Sequence, residues 1–238
     1  MTQQMWMLRK SWRSLIRRCR KKIKKGKILM KVSISKATST NSTTHLNKVY
    51  CLIGPSGAGK SSIAKEIGLP EVISYRTRQK LRPGEVNGVD GHFISREEFL
   101  EMKKQNLWIT ETEYAGDYYG ITQGELLELE NSPMIYVIDW PGLELFREGI
   151  EKIEGYSRDQ IVSIFIHTPR KDLESRMIRQ GRNKEEIRAR LDRADRDYAA
   201  SSKCDYVVVN ENGDIKNAVC EILKIILSDM CLKKEISC

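Results

Sequence analysis

With 238 residues, 40% hydrophobic and 31% charged, the chain can bury a sizeable core, and no apolar run reaches membrane-spanning length. The net charge of +9 belongs to one end: residues 1–36 hold thirteen Lys or Arg and no acid, while 37–238 hold 28 basic and 32 acidic residues, a balance of −4. A mildly acidic body speaks against a dedicated nucleic-acid binder, and six scattered cysteines without a C-x-x-C pair or a His cluster speak against a zinc site or a disulfide framework.

Residues 1–36 form a basic arm and 37–47 a polar linker, both expected to be disordered. Trp6, Leu8, Trp12, Leu15, Ile16 and Ile23 make the arm loosely amphipathic, which suits anionic surfaces. Its Arg-rich, acid-free composition also fits an organellar transit peptide, against the cytoplasmic location otherwise expected, and a start near Met30 is a further reading. Residues 48–228 form the folded unit and 229–238 a tail.

From Val49 on, short apolar runs alternate with helical stretches. "VYCLI" (49–53) reads as a strand, 60–67 as a short helix and "EVIS" (71–74) as a second strand. Ser95 with Glu98 forms a capping box for a helix to about 105, residues 107–121 alternate as a small antiparallel unit, and Thr122 with Glu125 offers another box. "MIYVID" (134–139) and "IVSIFIH" (161–167) read as strands covered on both faces. Thr168-Pro169 opens a helix with Pro at its first position, "DYVVV" (205–209) is a last strand, and a helix follows near 214–228. The order predicts an α/β fold with a mostly parallel five-stranded sheet.

Between the first strand and the first helix stands Gly54-Pro55-Ser56-Gly57-Ala58-Gly59-Lys60-Ser61, a match to G-x-x-x-x-G-K-S/T. Glycines let the backbone curl into a nest whose N–H groups face an anion, and the helix N-terminus points at the same spot. Lys60 then reaches the β- and γ-phosphates of ATP, Ser61 ligates Mg²⁺, and Ser62 lies nearer the α-phosphate. The strand before and the helix after supply the context this motif requires. Downstream, Arg76, Arg78 and Arg82 fall within seven residues of a Gly- and Pro-containing loop, suited to clamping a phosphate on an acceptor or to lying solvated.

Taken together these stretches resemble the guanylate kinase family over about residues 48–228. The resemblance rests on "GPSGAGKSS"; on Ser74, Thr77-Arg78, Arg82, Gly84-Glu85, Gly88, Asp90 and His92-Phe93; on Gly116-Asp117-Tyr118-Tyr119-Gly120; and on Asp139 with Gly142. Arg176-Met177, Gly181-Arg182, Arg190-Leu191 and Asp205–Glu211 continue it. It implies a P-loop core, a small mixed-β acceptor subdomain at about 75–121 and a helical lid at about 170–200. It further implies that Arg78, Arg82 and Tyr119 hold the acceptor's monophosphate, and that Ser74 with an acid from 111–113, Glu111 first, reads the base. Arg176 and Arg190 would swing over the transferring phosphoryl group, and Asn210 would lie near the adenine. Asp139 either orients Mg²⁺-bound water or an acceptor group, or caps the helix before Pro141. His92 and His167 receive no role.

The pattern departs from the family in places. Gly91 stands where the family has Tyr, the loop from Arg78 to Arg82 is one residue longer, Ile121 follows Y-Y-G, Val137 replaces the first Asp of D-x-D, and Thr110 fills the place of the base-reading acid. The expected reaction is transfer from ATP to GMP or dGMP by a monomer or homodimer. The alternatives are a ribose 1,5-bisphosphate kinase of this fold, or a non-catalytic binding module; the latter sits poorly with an intact Gly59-Lys60-Ser61.

Overall fold

The computed structural model describes residues 47–78, 81, 85–114, 116–212 and 214–235. The basic arm, and Arg82 and Gly84 of the arginine loop, lie outside the described residues. In chain order the elements are β1 (Val49–Ile53), α1 (Lys60–Ile67), β2 (Tyr75–Arg76), β3 (His92–Phe93), α2 (Arg96–Lys104), β4 (Trp108–Tyr114) and β5 (Asp117–Thr122). After a 3-10 helix (Gln123–Glu130) come β6 (Met134–Val137), α3 (Trp140–Ile150), β7 (Ile161–His167), α4 (Arg170–Arg179), α5 (Lys184–Ala199), β8 (Tyr206–Val209) and α6 (Ile215–Glu235).

Four of these strands make an all-parallel sheet in the order β6-β1-β7-β8. Every residue of β1 is buried, because helices cover both faces. Strand alternation sorts the core into two halves. Tyr50, Leu52, Ile164 and Ile166 pack with Ile63, Met177, Leu191 and Ile222 on one face. Val49, Cys51, Ile53 and Phe165 pack with Leu126, Leu143 and Phe146 on the other. The central strands therefore end in a rigid C-terminal edge, the edge at which ligands gather in open α/β sheets.

A second, mixed sheet has the order β3-β2-β5-β4, with β2 and β3 parallel and the other pairs antiparallel. Phe99 of α2 anchors it, stacked on Trp108 and Tyr118 with ring centroids 4.3 and 5.2 Å apart. The Ser95 box forms as expected: Ser95 Oγ accepts from Glu98 N at 3.0 Å, and Glu98 Oε2 accepts from Ser95 N at 2.8 Å.

Three local expectations are corrected. The fifth strand shrinks to a single bridge, Glu71 to Ile135, since the chain turns away at once to enter the second sheet at Tyr75. The Thr122–Glu125 box does not form, and its segment is a 3-10 helix. Both members have distant partners instead: Thr122 is hydrogen-bonded to the Tyr75 side chain, and Glu125 Oε1 lies 3.3 Å from His92 Nε2. Pro169 precedes α4 as its N-cap rather than as its first helical residue.

Candidate active site

A cleft of about 570 Å³ opens at the C-terminal edge of the parallel sheet. Its floor is the loop between β1 and α1, one wall is the mixed sheet, and the other is the charged face of α5.

The loop geometry explains its glycines. Gly54 has φ 141°, and a Cβ there would stand 2.6 Å from the Ile166 carbonyl oxygen. Gly59 caps α1 with φ 93°, and its Cβ would meet Asn210 Nδ2 at 2.5 Å. The loop is braced from behind through its carbonyls. Asn210 Nδ2 donates to Ala58 O at 2.6 Å, the wholly buried Thr168 hydroxyl reaches the same oxygen at 3.3 Å, and Arg176 Nη1 donates to Gly57 O at 3.2 Å. The first-turn N–H groups of α1 have no intrahelical acceptor and are left for a ligand.

Lys60 curls over this nest, its Nζ donating to Gly54 O at 2.6 Å and Pro55 O at 3.0 Å. Burial lowers its pKa to about 8, against the opposing pull of Asp197 and Asp139. The ammonium is therefore lost from about pH 8 upward in the free protein. Because the pH dependence of kcat/KM reports the free enzyme, kcat/KM for ATP is expected to be level below about pH 8 and to fall above it as the ammonium is lost. Steady-state kinetics from pH 6 to 10 check this; bound phosphate stabilises the ammonium, so kcat holds to higher pH.

Across the floor, Arg190 Nη1 donates to Ser56 Oγ at 2.6 Å while Glu186 holds its Nε at 3.0 Å. Asp139 is the cap of α3 and also lines the cleft. Its Oδ1 caps α3 by accepting from Gly142 N at 3.0 Å, and its Oδ2, on the cleft side, accepts from Arg193 Nη2 at 3.3 Å. On the mixed-sheet wall stand Ser74, Arg78 and Tyr119. Thr77 pins the exit of β2 by exchanging two hydrogen bonds with Tyr118, Thr77 N to Tyr118 O at 3.0 Å and Tyr118 N to Thr77 Oγ1 at 2.9 Å, which fixes the base of Arg78.

The structure thus gathers Gly54, Ser56, Lys60, Ser61, Ser74, Arg78, Tyr119, Asp139 and Arg190 around one space. Pro55, Gly57, Ala58, Gly59 and Ser62 complete the loop and the first turn of α1 without lining this space, and three further expected site residues stand elsewhere. Glu111 faces away, against Lys103 of α2, and it is Thr110 and Thr112 that line the cleft. Arg176 sits behind the loop, its three nitrogens donating to Asn212 Oδ1, Gly57 O and Asn210 O at 2.9, 3.2 and 2.8 Å. Asn210, 2% exposed, is part of the same brace. Sequence reasoning placed Arg193 only among the cations near Arg190 on the lid and missed Asp197; their signal is spacing, since Glu186, Arg190, Arg193 and Asp197 recur at intervals of three and four and so share one helix face.

A P-loop at the edge of a parallel sheet, facing arginines on two flanking units across one cleft, defines a phosphotransferase of the nucleoside monophosphate kinase class. The guanylate kinase family model matches residues 46–229. The chain is 34% identical over 173 residues to a guanylate kinase of Pseudomonas fluorescens Pf0-1, covering 69% of this chain and 80% of that one. It is 36% identical over 190 residues to one of Desulfitobacterium hafniense Y51, covering 77% and 90%. A solved guanylate kinase from Anaplasma phagocytophilum superposes with a TM-score of 0.59 at 28% identity, covering 77% of this chain and 86% of that one. The chain belongs to the guanylate kinase family.

Proposed function

We propose that the chain is an ATP-dependent kinase that passes the γ-phosphoryl group to GMP or dGMP, yielding ADP and the nucleoside diphosphate. One observation carries the reading: the cleft sets Lys60 on its floor apart from Arg78 on the mixed-sheet wall, with Arg190 of α5 opposite. Phosphoryl transfer needs little covalent chemistry from a protein, only two phosphates held in line and their charge neutralised.

In this reading the backbone of 54–62 cradles the triphosphate, with Lys60 at the β- and γ-oxygens. Arg78, Tyr119 and, outside the described residues, Arg82 grip the acceptor phosphate. Ser74, Thr110 and Thr112 form the polar edge for the base, in place of Glu111. Arg190 completes the charge around the transferring group. Arg176 and Asn210 act by holding the loop carbonyls, so that the amides keep facing inward. Ser61 opens into the cleft, and Asp139 and Asp197 are carboxylates of the same wall and floor, so the donor set fits Mg²⁺ with Ser61 Oγ as protein ligand. When bound, the cation supplies charge neutralisation at the phosphate oxygens.

An ADP-release assay with GMP, dGMP, AMP, CMP, UMP and ribose 1,5-bisphosphate tests the reading. Turnover is expected with GMP and dGMP. Turnover with the sugar bisphosphate alone moves the chain to that branch of the fold, and ATP binding with no turnover leaves a binding module.

A further inference from the structure

We infer that Arg76 is a further acceptor-binding residue: with Arg78 it forms a paired guanidinium clamp on the acceptor's phosphate, in space that Gly91 leaves open. The inference rests on the acceptor being a monophosphate, and it adds a residue to the site.

Arg76 ends β2 and Arg78 follows two positions later, so the strand period directs both toward the same face. The two guanidinium carbons each lie 5.4 Å from the centroid of the Phe93 ring, which supports them from one side. Both converge on one carboxylate. Arg78 Nη2 stands 2.6 Å from Glu85 Oε2, and Arg76 Nη1 stands 4.0 Å from Glu85 Oε1. The three side chains are only 19%, 17% and 14% exposed, for Arg76, Arg78 and Glu85. Two forks converging on one carboxylate show a geometry able to grip an oxyanion from two sides.

Arg76 is aimed by Ser74, whose Oγ accepts from its Nη2 at 3.1 Å. It also depends on the residue opposite. A Cβ at position 91 would lie 2.5 Å from Arg76 Nε and 2.7 Å from its Cζ, so any side chain there forces the guanidinium to shift from this position. Arginine at 76 and glycine at 91 are therefore one device. Ser74, Arg76, Arg78, Glu85 and Tyr119 all line the cleft that holds Lys60. A guanidinium offers donors alone, in a planar fork that matches phosphate oxygens bidentately.

The experiment compares wild type, Arg76→Gln, Arg76→Lys, Gly91→Ala and the Arg76→Gln/Gly91→Ala double variant. Arg76→Gln is expected to raise KM for GMP by about 10–100-fold, the range for losing a charge-assisted hydrogen bond, while KM for ATP moves little. Inorganic phosphate, used as a competitor of GMP, should weaken in parallel, and Arg76→Lys should recover part of the loss. Gly91→Ala should reproduce the rise in wild type and add nothing to Arg76→Gln. An unchanged KM for GMP, additive effects of the two substitutions, or an altered preference between GMP and IMP with phosphate competition intact would each overturn the clamp. Calorimetric titration with GMP in the absence of ATP reads the clamp independently of turnover. If wild type binds GMP without transferring phosphate, weaker binding by Arg76→Gln still supports the clamp and an equal isotherm overturns it.

Discussion

Replacing Lys60 with Ala is expected to lower kcat/KM for ATP by about 10³-fold or more, the scale of losing a preorganised charge at the point where transition-state charge develops. Among the described residues, Lys60 is the lysine whose pKa burial draws down furthest, to about 8. Its Nζ already sits among carbonyls of the loop, 2.6 Å from Gly54 O and 3.0 Å from Pro55 O, where partial negative charge stands in for phosphate oxygens. Burial has drawn its pKa to about 8, so the folded protein holds the ammonium at some cost and gains by surrounding it with anions. The substitution removes that cost together with two hydrogen bonds, so the thermal midpoint should change little while activity collapses. A variant retaining more than about a tenth of wild-type kcat/KM would put the chemistry elsewhere. Loss of activity together with loss of fold would instead make Lys60 a structural residue.

What the sequence discloses here depends on how local the cause is. α1 matched its expected bounds of 60–67, since the glycines before it and the helical period within it act over a few residues. The Ser95 box formed because its partners lie three positions apart on a free surface. The similar box at Thr122 failed because residues far away in the chain took both of its members: Tyr75 the hydroxyl and His92 the carboxylate. Position 111 was lost in the same way. The alternation of β4 makes two faces, but tertiary packing decides which one turns to the cleft: Ile109 lies against Gly149 of α3 and Glu111 pairs with Lys103 of α2, which leaves Thr110 and Thr112 lining the cleft.

The charged helix shows the limit most clearly. Glu186, Arg190, Arg193 and Asp197 are compatible with a solvated, self-paired surface, which the charge spacing of this helix taken by itself favours over the role its motif implies. The structure lays the same face against the P-loop, keeps the Glu186–Arg190 pair and adds cross-cleft contacts, from Arg190 to Ser56 at 2.6 Å and from Arg193 to Asp139 at 3.3 Å. Arg176 moved the other way. Its motif implied a place over the phosphates, yet its guanidinium holds carbonyls of Gly57 and Asn210 behind the loop.

Arg190→Ala is accordingly the second large effect, with kcat expected to fall by about 10³-fold, the lower end of what a transition-state arginine contributes in phosphoryl transfer. Its fork is held from one side by Glu186, which accepts from Nε at 3.0 Å and also takes Arg182 Nη1 at 2.6 Å. That leaves Nη1 directed at the floor through Ser56 Oγ. A side chain oriented by an acid on its own helix loses little entropy when it engages a phosphate, which is how positioning converts into rate. Arg190→Lys keeps the charge but loses both the fork and the Glu186 grip, so it should recover only a small part of kcat. If the helix face were merely a solvated surface, both variants would change stability by less than about 0.5 kcal/mol and leave kcat within a few-fold of wild type. Measuring kcat, both KM values and the thermal midpoint for the two variants separates these outcomes, because only a residue acting on the transferring group lowers kcat while stability and ground-state binding hold.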